Sequence, residues 1–189
     1  MRCRFVFRLS IGLASIALLF AMGSTLAKAQ AKDSMEINKL LADAKMHAAL
    51  AEYDSDTLYT FANSEIPWEA HASQIRTISE RVNDLCKVVN QLNSVRSQGS
   101  QWQQVAIDRI NPLLRNMADN LNAAIKELND HKERLQMPEY RDYLRANSYL
   151  ANRTATVISD FVEYSRAGAQ SEHIQRKLEL PPPATTAAK

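Results

Sequence analysis

Residues that interrupt helices are rare in this chain, and this scarcity constrains its fold more than any motif. After residue 29 only two glycines remain, Gly99 and Gly168, and the prolines are Pro67, Pro112, Pro138 and the run 181–183. Proline favours the first turn of a helix, and glycine favours the position just past its end. These residues therefore divide the chain into four segments, at about 34–62, 67–97, 100–135 and 138–168.

Apolar residues recur in each segment with the spacing of an amphipathic helix. The first segment has a heptad seam with alternate steps of four and three, formed by Ile37, Leu41, Ala44, Ala48, Ala51, Ser55, Leu58 and Ala62. The second has two neighbouring rows, one of Trp68, Ala72, Ile75, Ser79, Val82, Cys86 and Val89, and one of His71, Ile78, Leu85 and Leu92. Such a stripe is wide enough to contact two neighbouring helices.

The third segment opens with a capping box, Ser100 followed by Gln103, and its apolar residues repeat every eleven positions. Pro112 lies inside it, so we expect a kink near residues 108–112, with a break into two helices as the alternative. In the fourth segment a row of Tyr140, Tyr143, Asn147, Leu150, Thr154, Val157, Phe161 and Tyr164 is flanked by Leu144, Ala151 and Ile158.

Four long amphipathic helices with short connections predict an all-α fold, an antiparallel up-down-up-down four-helix bundle with coiled-coil-like seams. We expect this bundle to occupy residues 30–168. The stretch 169–180 reads as a short helical extension, and the proline-led tail 181–189 as disordered.

The first 29 residues have the three-part pattern of a Sec-type signal peptide. Arg2, Arg4 and Arg8 precede an apolar run, and the small-x-small stretch 27–29 would allow cleavage before Gln30. The run of about 14 residues is shorter than the roughly 20 that a permanent span needs, and a retained N-terminal anchor is the alternative. We therefore expect a periplasmic or extracellular protein whose processed chain has no membrane span.

Processing changes the charge and leaves one cysteine. Residues 1–29 hold four of the 23 Lys and Arg side chains and none of the 21 Asp and Glu side chains, so 19 basic and 21 acidic side chains remain. A nearly neutral chain gives no electrostatic reason to expect a nucleic-acid partner. Cys86 lies on an apolar row, which indicates a buried thiol, with a disulfide to a second chain as the alternative.

Known catalytic and cofactor motifs are absent from the sequence. It lacks Cys-x-x-Cys-His, the Glu-x-x-His of di-iron bundles, His-Glu-x-x-His, Gly-x-Ser-x-Gly and a phosphate-binding glycine loop. We therefore expect a non-enzymatic protein without a cofactor.

The fold topology gathers one group of polar residues at the end of the bundle that holds the first and third connections. His71, His131, Asp56 and Glu69 are the candidate metal ligands there, and Tyr140 and Tyr143 are candidate ligand-binding residues. The competing interpretation is that a bundle end is polar because water reaches it. Trp68 and Trp102 each lie in a first helical turn, where we expect them to plug opposite ends of the core.

Three stretches, WEAHASQI (68–75), QWQQVAIDRINPLL (101–114) and YRDYLRANSYLA (140–151), followed by ISDFVEY (158–164), resemble a family of exported helical proteins of bacteria. The resemblance covers about residues 33–180, is weakest in the first segment, and implies export and a helical bundle but no activity. We expect a bundle that acts through protein contacts in the cell envelope, with an envelope protein or a second copy as partner. The alternative is a periplasmic module that binds a metal or small ligand near His71 and His131.

Overall fold

A computed structural model of the chain describes residues 32–62 and 64–179. The signal peptide predicted at 1–29 and the tail predicted at 181–189 lie outside the described residues. Four α-helices follow one another: α1 (Met35–Phe61), α2 (Trp68–Val95), α3 (Gln101–Asp130) and α4 (Pro138–Lys177), with a short 3₁₀ turn at Arg96–Gln98. No described residue lies in a β-strand.

The helices pack in a ring in which each contacts the next along the chain and α4 returns to α1. This is the predicted four-helix bundle, and its core is a single cluster of apolar side chains from all four helices. Among the described helices, none has the combined length and apolar character needed to cross a membrane.

The predicted core rows are buried, with one shift in α4. All eight residues of the α1 seam are buried, as is the whole α2 row from His71 to Leu92. In α4 the flanking row of Leu144, Ala151 and Ile158 is buried together with Tyr140, Asn147 and Thr154, whereas Tyr143, Leu150 and Phe161 are half-buried and Tyr164 is exposed. The buried stripe of α4 is therefore rotated from the predicted row toward Leu144, Ala151 and Ile158.

α3 passes through Pro112 as one helix, so the alternative of two helices is wrong. A kink at this point stays a prediction. Next to the proline, the Asn111 side chain donates to the Ile107 carbonyl (2.9 Å) and pairs with Asn93 of α2 (2.9 Å), which attaches this turn of α3 to its neighbour.

Two helix ends differ from prediction. α3 ends at Asp130 and not near Leu135, since Asn129, Asp130 and His131 form a run of weak helix formers; Leu135 nevertheless stays buried from the following loop. α4 does not stop at Gly168 but continues to Lys177. A Cβ at Gly168 would meet no atom within 4 Å, so this glycine lies in an open stretch of helix that tolerates it.

Candidate functional site

The bundle end formed by the α1–α2 and α3–α4 connections holds a buried histidine. His71 is 1% exposed and Tyr140 is 1% exposed, and the His71 Nδ1 lies 3.0 Å from the Tyr140 hydroxyl oxygen. The Phe61 ring meets the imidazole edge-on, with 5.4 Å between ring centroids. In either tautomer of His71, this contact gives a hydrogen-bond partner to Nδ1 and to the Tyr140 hydroxyl.

Burial sets the protonation state of this pair. Loss of solvent lowers the pKa of His71, because the charged imidazolium is poorly stabilised among apolar neighbours. The same cause raises the pKa of the Tyr140 hydroxyl above its usual value. The neutral imidazole and the neutral phenol therefore form a structural hydrogen bond that joins α2 to α4.

His131 does not join this pair. It is the first residue past α3, its ring is half exposed, and its Nε2 lies 3.8 Å from the Glu127 carboxylate one turn earlier. Residues 129–134 line an open depression of about 420 Å³ beside it.

The other candidate ligands are spread over this end. Asp56 is exposed and accepts a hydrogen bond from the Ser148 hydroxyl, and Glu69 is exposed in the first turn of α2. Tyr143 is half-buried and takes part through its backbone carbonyl, which accepts from Asn120 (3.0 Å). Within residues 32–62 and 64–179, no three His, Cys, Asp or Glu side chains form a group that could hold a metal ion. Of the candidates, the structure thus brings only His71 and Tyr140 into contact.

The tryptophans are less deeply placed than predicted. Trp68 is 36% exposed, and Lys132 lies over its ring at 4.3 Å from the centroid. Trp102 is half-buried, donates to the Asp33 carboxylate (2.7 Å) and meets the Tyr164 ring at 5.2 Å. Both indoles therefore cover the rims of the bundle and do not fill its ends. Cys86 is buried.

At the opposite end, Gln103 connects two helix starts. Its Oε1 accepts from the backbone N–H of Ser100 (3.0 Å) and of Ser34 (2.9 Å), and its Nε2 donates to the Ser34 carbonyl (2.9 Å) and the Asn38 side chain (2.8 Å). Of the predicted capping box, the half in which the Gln103 side chain accepts from the Ser100 backbone N–H is present. The bridge to α1 was not predicted, because a capping motif describes only contacts within one helix.

The outer face of α1 is the surface that sequence reasoning missed. A residue two positions before each member of the buried seam lies about 200° around the helix from it, on the opposite side. This opposite row, called here the outer row of α1, is exposed throughout and consists of Met35, Lys39, Ala42, Met46, Ala49, Tyr53, Asp56 and Thr60. Its larger apolar members are Met35 (86% exposed), Met46 (54%) and Tyr53 (71%), and Leu50 lies beside them.

The same construction on α2 gives the opposite result. In α2 the buried residues with the same spacing are His71, Ile75, Ile78, Val82, Leu85, Val89 and Leu92. The positions two before them hold only polar residues, namely Glu69, Ser73, Arg76, Glu80, Asn83, Lys87 and Asn90. Five of the eight residues in the outer row of α1 are thus apolar, whereas none of the seven corresponding residues of α2 is. The sequence contains the outer row of α1 as a second heptad row. The buried seam alone was enough to predict the helix, so the second row was not interpreted.

No family model, no curated protein and no solved structure matches the chain. The resemblance to exported bacterial helical proteins therefore stays a prediction.

Proposed function

We propose that the processed chain is an exported, non-enzymatic helical-bundle protein that acts through protein contacts in the cell envelope. One observation carries the proposal. The solvent-facing side of α1 has no charged residue between Lys39 and Asp56 along its outer row, and it presents two methionines and a tyrosine to solvent.

Such a face is unusual on a surface helix. The solvent side of an amphipathic helix is normally polar, and a helix that is apolar all round is normally buried. Contiguous exposed apolar side chains mark interaction surfaces, and methionine and tyrosine are enriched in the cores of protein interfaces. We therefore assign the outer row of α1 as the contact surface.

The arrangement of the N-terminal region supports export. Cleavage before Gln30 would leave only a few residues before α1, whose N-cap is Ser34. Asp33, in this short stretch, already binds the Trp102 indole. Removal of residues 1–29 thus leaves in place the contacts among residues 32–62 and 64–179.

Site-specific photocrosslinking in intact cells tests the contact surface. A photoreactive phenylalanine analogue replaces Tyr53 on α1 or, as matched control, Tyr149 on α4, which is similarly exposed at 62% against 71%. We expect a discrete protein adduct from position 53 and none from position 149. Equal yields at both positions, or no adduct from position 53, would contradict the proposal.

Export is tested separately by sequencing the N-terminus of the protein recovered from the envelope fraction. Gln30 as the first residue supports processing. An intact N-terminus beginning at Met1 in a cytoplasmic fraction contradicts it.

A further inference from the structure

We infer that the partner of the α1 outer row is a second copy of this chain, bound through an antiparallel α1–α1 contact about a two-fold axis. The inference rests on the proposed function and specifies its partner. The supporting observation is the order of residues along the row. When two copies of the row run in opposite directions, large side chains face small ones and positive charges face negative ones.

The outer row has the spacing of a coiled-coil seam. Because each member lies two positions before a residue of the buried seam, the row follows the same alternate steps of four and three. This spacing keeps successive side chains on one line along a second helix. All its positions are exposed, so no element of the described chain occupies that line.

Side-chain sizes match when the second helix runs in the opposite direction. With the two-fold axis between His47 and Ala48, Met46 faces Ala49 of the other copy, and Ala42 faces Tyr53. Symmetry repeats both pairs, so four successive layers each combine one large and one small side chain. Alternation of large and small residues lets two helices approach closely and interdigitate.

Charges match in the same register. Lys39 faces Asp56 of the other copy, and symmetry again gives this pair twice, once at each end of the apolar layers. In a parallel, in-register pair the same residues would face their own copies, which would set Lys39 against Lys39 and Asp56 against Asp56. Opposite charges at the borders of a helical seam favour one orientation and like charges disfavour the other.

A two-fold contact is also the ordinary form of self-association. It uses the same patch on both chains and closes after two copies, so it does not propagate into a filament. A contact of one helix per chain is small, and we expect a dissociation constant on the order of micromolar.

Sedimentation velocity of the purified processed chain, from about 1 to 200 µM, measures the association. We expect a monomer–dimer equilibrium for the native chain and a monomer throughout for Met46→Glu/Tyr53→Glu. The control Tyr149→Glu should associate like the native chain, and circular dichroism verifies that each variant remains helical. A native chain that is monomeric at the highest concentration, or a Met46→Glu/Tyr53→Glu variant that still dimerises, overturns the inference.

A charge exchange tests the register. Lys39→Asp and Asp56→Lys should each weaken the dimer by about tenfold, because each turns two attractive pairs into repulsive ones. The double variant Lys39→Asp/Asp56→Lys should restore the native dissociation constant to within about twofold. Failure of the double variant to recover overturns the antiparallel register even if a dimer forms.

Cysteine pairing gives an independent measure of the same register. In Met46→Cys/Ala49→Cys, oxidation should link position 46 of one copy to position 49 of the other, identified by peptide mass spectrometry. Tyr53→Cys should not form a dimer disulfide, because its two copies lie about 16 Å apart along the axis in this register. A Tyr53→Cys disulfide would contradict the antiparallel arrangement.

The two proposals fail in different ways. An adduct from position 53 in cells with the mass of another protein, together with a monomeric purified chain, leaves the contact surface standing and overturns the second copy as partner. Co-flotation of the monomer with phosphatidylglycerol-containing vesicles, lost in Met46→Glu/Tyr53→Glu, assigns the face to a lipid surface and overturns both.

Discussion

The imidazole of His71 and the hydroxyl of Tyr140 form a buried hydrogen bond between α2 and α4, with 3.0 Å between Nδ1 and the hydroxyl oxygen. His71 occupies a position that Ile78, Leu85 and Leu92 continue along the same row of α2. Its surroundings are those of a core residue, and its polar atom has a partner. The pair therefore adds a directional bond between α2 and α4 to the apolar contacts at this end of the bundle.

Removal of the Tyr140 hydroxyl should destabilise the bundle. In Tyr140→Phe the Nδ1 of His71 loses its hydrogen-bond partner in a buried position, which costs about 1–2 kcal/mol in the free energy of unfolding. Tyr149→Phe, at a position 62% exposed, should change it by less than about 0.5 kcal/mol. Urea unfolding of both variants measures the difference, and equal effects would contradict the structural role of the pair.

The same pair makes stability depend on pH. The pKa of His71 is lowered in the folded protein, so the unfolded chain binds its proton more tightly, with a pKa of about 6.5. Neutral His71 is therefore fully compatible with folding above about pH 6.5. As the pH falls from there toward the lowered pKa of the folded state, we expect a loss of up to about 1.4 kcal/mol per pH unit.

The comparison of native protein with His71→Leu isolates this contribution. Urea unfolding between about pH 8 and 5 should show a steeper loss for the native chain than for His71→Leu. His173→Leu, on the exposed last turns of α4, controls for the removal of a surface histidine. Parallel curves for the native chain and His71→Leu would show that His71 does not titrate against the fold.

Gln103 should contribute more to the stability of the bundle than its neighbour Gln104 does. The Gln103 amide is 0% exposed and uses both its donor and its acceptor capacity to connect α3 with α1. Gln103→Leu removes four hydrogen bonds, one to a buried and three to part-buried groups, and we expect a loss of about 2–4 kcal/mol. Gln104 donates one hydrogen bond, to the Gly99 carbonyl, so Gln104→Leu should cost about 1 kcal/mol. Thermal or urea unfolding decides; similar losses would contradict the bridging role.

Substitution by alanine should change stability in opposite directions at Gly99 and Gly168. A Cβ at Gly99 would lie 2.7 Å from the Ile37 Cδ1 and 3.1 Å from the Gln103 Cβ, so Gly99→Ala should destabilise by about 1–3 kcal/mol. Gly168 has open space around it, and Gly168→Ala should stabilise the local helix by about 0.5–1 kcal/mol. Urea unfolding tests the first. Slower amide hydrogen exchange in residues 169–177 tests the second, and unchanged or faster exchange there would contradict it.

Much of the fold could be predicted from periodicity. The α1 seam and the α2 rows from His71 onward are buried as expected, except that Ala72 is half-buried, because a repeat of three and four residues specifies which side of a helix meets its neighbours. Helix ends were harder: α4 continues through Gly168, since a glycine without close neighbours only lowers helix stability and does not stop it. Gly99 lies at the predicted break, in contact distance of Ile37 from another helix.

Contacts between segments distant in the chain were beyond sequence reasoning. Topology alone placed His71 and Tyr140 at one end of the bundle, but their pairing depends on how α4 is rotated. The observed buried stripe is centred between the predicted row and the row of Leu144, Ala151 and Ile158 that was predicted as its flank. Ser55 is the one polar residue of the predicted α1 seam, and it accepts a hydrogen bond from the buried Asn147 of α4 (3.0 Å). A polar residue on an apolar row is interpretable only once its partner is known.

Oxidative footprinting of two methionines shows whether a partner covers the outer row of α1 in the cell. Met46 on this row and Met137 before α4 are similarly exposed in the chain, at 54% and 45%. Exposed methionine is oxidised readily to the sulfoxide. In dilute purified protein we expect both to be oxidised at similar rates, whereas in intact cells Met46 should be protected and Met137 should not. Oxidation of Met46 in cells as fast as that of Met137 would contradict the account.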